Sequence, residues 1–508
     1  MSRVRASSPA PFKKEASRAL FFVLGVMGEA VLQQVRKYSY FVLLGLCFAF
    51  AFAFFVRTKL YLSNDVFSDD ECRLALSMMN KGFLRSLLYL GQAQSAPPVF
   101  ILVSKLMTAL FGFTEHAAKF LPYAAGVGSI YMFYKVSSSY LQSRIAIVIA
   151  NFIFAICQPL VSFSSIFKQY SLDVLIGLIC LYYLPKIKIE ELSMKQLCLL
   201  LLTLVTLPLI SLPSLFFIAA FVVNNAIKNW KRILTLMVPF IIFMGIYYIF
   251  SLAPAKLDLN NYFPDYWTDG FFGISLSEFL KLLIVNIKFY FVPNDLSLAA
   301  IILLFWGIYL YIKEKNKFIL STFFFILLAA FLKLYPLSGR VGLFALPIFL
   351  LFILKPFDIK KKAALVFASL LVFLSFCRYD VGYLKNIMTD NYMVSYSPKN
   401  LMMIMKDKFN PKTDIVLCNS ASTPSYLFYS EQNNFYPENV YEMSLNHLDK
   451  TVSMKYLNNL EHGRNYWIYL IKDYRRAEVF PIVFEWLEVQ NVKYKKHEKN
   501  SYLFYVER

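Results

Sequence analysis

A chain of 508 residues with 58% hydrophobic, 18% aromatic and only 17% charged side chains, and a mean hydropathy of +0.52, has more apolar surface than one water-soluble core can bury. Its net charge of +20 does not point to nucleic acid, because the lysines and arginines fall in short clusters between apolar runs rather than on one soluble face. Seven scattered cysteines without a CxxC spacing and four dispersed histidines supply neither a disulfide framework nor a histidine-based metal centre.

Residues 1–38 are basic, and Leu20, Leu24, Met27, Val31 and Val35 recur there at helical spacing among Glu29, Gln33 and Gln34. An apolar stripe beside polar groups predicts a helix lying on the cytoplasmic surface. Spans are then predicted at 39–57, 118–137, 143–161, 168–185, 196–209, 213–227, 233–252, 297–313, 318–335, 340–355 and 362–378. That makes about eleven, taking about 20 residues as the length needed to cross. Lys135 and Arg144, Lys186 and Lys188, Lys228, Lys231 and Arg232, Lys313, Lys315 and Lys317, and Lys355 with Lys360 to Lys362 then share one side with the basic N-terminus. The bias of positive charge toward the cytoplasm makes that side the inner one. The outer side receives the loop 58–117, the loop 253–296, the Tyr335-to-Arg340 turn and the C-terminus.

The expected fold is thus a polytopic α-helical membrane protein over 39–390, followed by a small α/β domain, 391–508, on the outer face. In that domain Asp414–Cys418 reads as a buried strand and Ala421-Ser-Thr-Pro424 as a helix start. Tyr466–Ile471 reads as a second strand, Ala477–Gln490 as a helix and Tyr502–Val506 as a closing strand. The loop 58–117 carries the chain's most conspicuous charge, the adjacent acids Asp69, Asp70 and Glu71. Ionised groups beside a bilayer are costly and usually mark a site. Their blander role is to start a helix, as an N-cap and acidic first turn.

Asp70-Glu71 opening a helix, then Tyr89-Leu-Gly-Gln92 with Ala96-Pro97-Pro98, then Phe111-Gly112, Glu115 and Lys119-Phe-Leu-Pro122, follow one another in the outer loop and second span. Phe167-Lys168-Gln169-Tyr170-Ser171 with Asp173, and Tyr335-Pro-Leu-Ser-Gly-Arg340, come later in the chain. In this order the set resembles membrane glycosyltransferases of the GT-C superfamily, in particular the polyprenyl-phosphate-sugar transferases related to protein mannosyltransferases and to the lipid A aminoarabinose transferase. The sequence departs from bacterial relatives in one place: they often carry Glu before Phe-Lys-Gln-Tyr, where this chain has Ile166.

The resemblance implies a glycosyltransferase of the bacterial inner membrane with a polyprenyl-phosphate-linked donor, a glycan, lipid or protein acceptor, and an extracytoplasmic C-terminal domain. It leaves a divalent metal open without requiring one. The residues suit that chemistry. A carboxylate takes the acceptor's proton, for which Asp70, Asp69 and Glu71 are the candidates. Cations steady the departing phosphate, for which Arg340 and Lys168 are the candidates. Gln92 and Tyr170 are expected to line the substrate loop. Two other classes stay open, a flippase or transporter of lipid-linked sugars and a non-catalytic assembly subunit.

Overall fold

The computed structural model describes residues 40–82, 85, 90–91, 94–262, 270–272, 275–291, 297–358, 382–389, 398–443, 450–461, 463–471, 479–498 and 501–508. The expected surface helix in 1–38, the expected span 362–378 and Gln92 lie outside them.

The first long apolar run forms α1 (Tyr40–Ser63). Its outward side is Leu44, Phe48, Phe54, Phe55 and Leu62, all exposed. Large apolar side chains on the outside of a bundle suit a lipid surround rather than water. Among the described residues two helical stretches are long and apolar enough to cross a membrane, Leu43–Ser63 and Ser214–Asp258, beside several shorter apolar helices. The loop 58–117 is more structured than its sequence suggests, with α2 (Asp69–Met79) and α3 (Pro98–Phe111). A proline in the first turn of α3 loses no helical hydrogen bond, so the Pro-Pro pair starts that helix rather than breaking it.

The bundle continues with α4 (Glu115–Tyr140), α5 (Arg144–Ile156), α6 (Gln158–Phe163) and α7 (Tyr170–Tyr183). The expected span 143–161 is broken at Cys157, and the cause is local. Pro159 has no N–H for the carbonyl of Ala155. Arg57, fully buried in α1, donates to that carbonyl at 2.8 Å and so caps the end of α5.

Next come α8 (Met194–Ile210), α9 (Ser214–Tyr247), α10 (Ala253–Tyr262), α11 (Leu276–Phe291), α12 (Ser297–Lys313), α13 (Lys317–Phe331) and α14 (Leu346–Leu354). The runs expected as separate spans at 213–227 and 233–252 are joined in α9, which bends at Asn229 (φ −126°, ψ 32°). At the bend Arg232 donates to the carbonyls of Ile189 and Leu192, 2.5 and 2.7 Å away, and Asn229 donates to Glu190. The bend of α9 thus packs on the short segment Ile189–Leu192.

The C-terminal unit contains α15 (Pro398–Lys408), β1 (Asp414–Cys418), α16 (Thr423–Gln432), β2 (Val440–Glu442), α17 (Lys450–Asn458), β3 (Asn465–Ile471), α18 (Val479–Glu488), β4 (Asn491–Glu498) and β5 (Ser501–Glu507). The sheet order is β2-β1-β3-β5-β4, with β1 parallel to β2 and β3, and β5 antiparallel to β3 and β4. The three predicted strands are all present. The edge strands β2 and β4 were not predicted: β2 is only three residues long, and β4 has Lys493, Lys495 and Lys496 where an alternating apolar pattern would have marked a strand.

This cap docks on the loop 58–117 through α16. Tyr429 accepts the Phe67 N–H at 2.8 Å, Phe428 packs on the Phe67 and Phe113 rings, and Gln432 donates to the Phe113 carbonyl at 3.1 Å.

Candidate active site

Helix α2 starts where its sequence says it should. Ser68 precedes it, and Glu71 reaches back to accept from the Ser68 backbone N–H at 2.9 Å. That reciprocal cap, with acids in the first turn, suits the positive end of a helix. Successive helical residues are about 100° apart, so three adjacent acids point in three directions.

Glu71 points inward. Its other oxygen accepts the Phe167 N–H at 2.5 Å and lies 3.8 Å from Lys119, itself fully buried. Lys119 in turn donates to the carbonyls of Asn64 and Val66. Glu71 is therefore a cap that ties α2 to α4 and to the chain before α7, and the catalytic candidacy given it from sequence is corrected to a scaffold role. Asp69 points toward the cap domain. It pairs with Arg73 at 3.1 Å, and Arg73 also donates to the Ser420 carbonyl at 3.2 Å.

Asp70 points into a cluster of charges brought from far along the chain. Its Oδ1 lies 3.0 Å from Lys168 Nζ and accepts from Gln94 Nε2 at 3.2 Å, while its Oδ2 lies 3.0 Å from the Arg340 guanidinium. Gln94 Oε1 accepts from Lys168, so one amide bridges the anion and the cation. Asp70 and Arg340 keep 31% and 32% of their side-chain surface, enough for a ligand to reach them. Burial pushes the Asp70 carboxyl up, but Lys168 and Arg340, with hydrogen bonds from Lys168 and Gln94, outweigh it and hold the group well below the usual carboxylate range. Burial pulls the Lys168 ammonium down, with Asp70 opposing.

The two cations are placed by backbone geometry. Lys168 sits in the turn between α6 and α7. That turn approaches α4 at Gly126, where a Cβ would come within 2.5 Å of Ser164 Cβ. Arg340 follows Gly339, whose φ of +47° is left-handed. The turn before it is pinned by the Leu337 N–H donating to Gly270 at 2.8 Å and by Asn286 donating to the Leu337 carbonyl at 2.7 Å. Tyr170, the first residue of α7, lies with its ring centre 5.8 Å from the Arg340 guanidinium carbon. Of the residues singled out from sequence, Asp70, Lys168, Arg340 and Tyr170 come together. Gln92 lies outside the described residues. The glutamine in the cluster is Gln94, two positions on in Gln92-Ala-Gln94, and no sequence signal separates the two.

Among the described residues no three His, Cys, Asp or Glu side chains form a metal-binding group. Asp70 already faces the two cations Lys168 and Arg340.

The fold described here, a helical bundle carrying a small α/β unit, is similar to that of solved glycosyltransferases. ArnT, the lipid A aminoarabinose transferase, from Cupriavidus metallidurans in the apo state aligns over 88% of this chain and 96% of its own at 10% identity, with a TM-score of 0.50. The oligosaccharyltransferase of Archaeoglobus fulgidus, in a complex with Zn and sulfate, aligns over 90% of this chain and 72% of its own at 13% identity, with a TM-score of 0.51. Its apo form aligns over 92% and 74% at 12% identity, also with a TM-score of 0.51. Identities this low establish a shared fold. No protein-family model matches the sequence, and no curated protein matches it.

Proposed function

We propose that the protein is a multi-pass membrane glycosyltransferase that moves a sugar from a polyprenyl-phosphate-linked donor to a glycan, lipid or protein acceptor at the outer membrane surface. The observation that carries this reading is the Asp70 cluster: one half-open carboxylate held between Lys168 and Arg340 at the end of an apolar bundle. Arg340 offers a planar fork to two phosphate oxygens, and Lys168 adds a point charge. A lipid-anchored phosphate stays at headgroup depth, which suits a site between the bundle and its cap.

Without substrate the same two cations make Asp70 a weak base. A donor phosphate that engages them relieves the carboxylate of part of its neutralising charge and raises its basicity where the acceptor is poised. The acceptor atom then bonds to the anomeric carbon while its proton passes to Asp70. The bond from that carbon to the phosphate oxygen breaks, its electron pair leaving on polyprenyl phosphate.

The orientation belongs to the same proposal. About eleven spans, with the bend of α9 and the other basic turns on the cytoplasmic side, bring the cap to the outer face. The decisive experiment incubates protein in nanodiscs with a panel of undecaprenyl-phosphate-linked sugars. Release of undecaprenyl phosphate supports transfer. Movement of the lipid across liposomes without release establishes a flippase, and neither activity leaves an assembly subunit.

A further inference from the structure

We propose that Gln94 is a positioning residue which holds Asp70 by Oδ1 and Lys168 by its ammonium, leaving Asp70 Oδ2, the oxygen shared with Arg340, as the proton acceptor. The inference rests on the transfer reading above and adds to it which carboxylate oxygen reacts and what orients it.

Gln94 is only 6% exposed. Its amide orientation is dictated by charge, since only the NH2 end donates to a carboxylate and only the carbonyl end accepts from an ammonium. Its backbone is fixed by a tight turn in which its N–H donates to the Gly91 carbonyl at 3.0 Å, with Gly91 at φ +77°.

The two oxygens of Asp70 are therefore unlike. Oδ1 is held by Lys168 and Gln94, whereas Oδ2 meets Arg340, the cation whose side chain is itself about one-third exposed and open to an anion. When a phosphate engages Arg340, Oδ2 loses its partner and Oδ1 does not. Gln94 also restrains Lys168, which is only 8% exposed, from following the phosphate away from the carboxylate. On the same helix Asp69 and Glu71 are engaged elsewhere, by Arg73 and Lys119 respectively.

The test follows proton release as well as rate. Gln94→Met keeps the volume and removes both hydrogen bonds. Gln94→Glu keeps the acceptor for Lys168 but replaces the donor to Asp70 with a like charge. A hydrogen bond to a charged group is worth enough for about a tenfold effect or more. Turnover of an undecaprenyl-phosphate-linked sugar should fall about tenfold in Gln94→Met with donor KM changed less than about threefold, and the acid limb of its kcat profile should move to higher pH. Gln94→Glu should move that limb further. Gln94→Asn, one methylene short, should fall between parent and Gln94→Met and serves as the variant if Gln94→Met does not fold.

A folded Gln94→Met protein with parental kcat and pH profile overturns the inference while leaving the transfer reading intact. If the parent transfers no sugar, that reading fails, and the bridge is read without substrate. Asp70's depressed titration gives stability that is present above its unfolded value and lost on acidification. The fall in melting temperature below about pH 4 should be shallower in Gln94→Met than in the parent. Equal slopes refute the bridge itself.

Discussion

The bundle has an ionic cluster at each end, and the two are built differently. At the end under the cap Asp70 meets Lys168 and Arg340. At the other end, where α4 finishes, Lys355 meets Asp358 and Glu314, both at 2.8 Å, and donates to the Tyr140 carbonyl. Helix α4, whose 26 residues rise about 39 Å, ends at the second cluster. Lys355 and Asp358 are 2% and 5% exposed, and the second Asp358 oxygen accepts the Gln142 and Ser143 N–H groups where α5 begins. In the Lys355 cluster the lysine and Asp358 are buried while Glu314 is 43% exposed, and its partners come from the helix ends it joins, so it acts as a latch. The Asp70 cluster leaves an anion and a guanidinium about one-third exposed on facing sides of one ion pair and draws its partners from three separate turns. A charge cluster that keeps an open side has capacity left for a ligand.

The contrast predicts a division between activity and stability, and Asp70→Asn tests it most severely. Loss of a general base lowers turnover about 10²–10⁴-fold. Because Asp70 competes with phosphate for Arg340, undecaprenyl phosphate binding should be undiminished in this variant. Asp69→Asn, which alters the Arg73 pair, should be milder. A parental rate in Asp70→Asn ends the base assignment.

Lys355→Met is the mirror experiment. Removing one member of a buried pair strands the other and costs about 3–5 kcal/mol, seen as a lower melting temperature. Rate per folded molecule should stay within about twofold of the parent. If activity falls while the melt does not, the Lys355 cluster is more than a latch.

Arg340→Ala should weaken donor binding about tenfold or more, the scale of one charge-assisted contact. Arg340→Lys keeps the charge, loses the fork and should lie between. Donor titration in nanodiscs measures both, and unchanged affinity would move the phosphate role elsewhere.

Acidification should weaken the Asp70 cluster. Asp70 titrates below its unfolded range, so the stability it contributes is complete above about pH 4 and fades as pH falls further. Thermal melts from pH 6 to 3 should show a loss that is smaller in Asp70→Asn. The smallest effect is expected for Arg73→Ala. Its pair with Asp69 is partly exposed and worth under about 1 kcal/mol, but its bond to the Ser420 carbonyl links α2 to the cap. A change of a few-fold in acceptor KM with kcat intact would mark that link as functional.

Much of this was legible in one dimension because it follows from local periodicity and composition. Apolar runs announced the bundle, basic clusters marked the turn where Arg232 meets the Ile189 and Leu192 carbonyls, and the acids after Ser68 marked the start of α2. The buried strands β1, β3 and β5 were equally plain. Features set by pairing were not. The break at Cys157 depends on Arg57 reaching the carbonyl that Pro159 cannot serve, and β4 hides behind its lysines because its pairing with β5 is a backbone matter.

The site divides along the same line. The sequence determined that three carboxylates open a helix beside a membrane and that cations at Lys168 and Arg340 come from turns expected on the same side. Only the tertiary structure decided among Asp69, Asp70 and Glu71, because a turn of about 100° per residue sends adjacent side chains to different neighbours. Those neighbours, the cap domain for Asp69, the two cations for Asp70 and the Phe167 N–H with Lys119 for Glu71, lie up to some hundreds of residues away. The choice of Gln94 in Gln92-Ala-Gln94 has the same origin, since a bridge between Asp70 and Lys168 exists only once both have been brought to it.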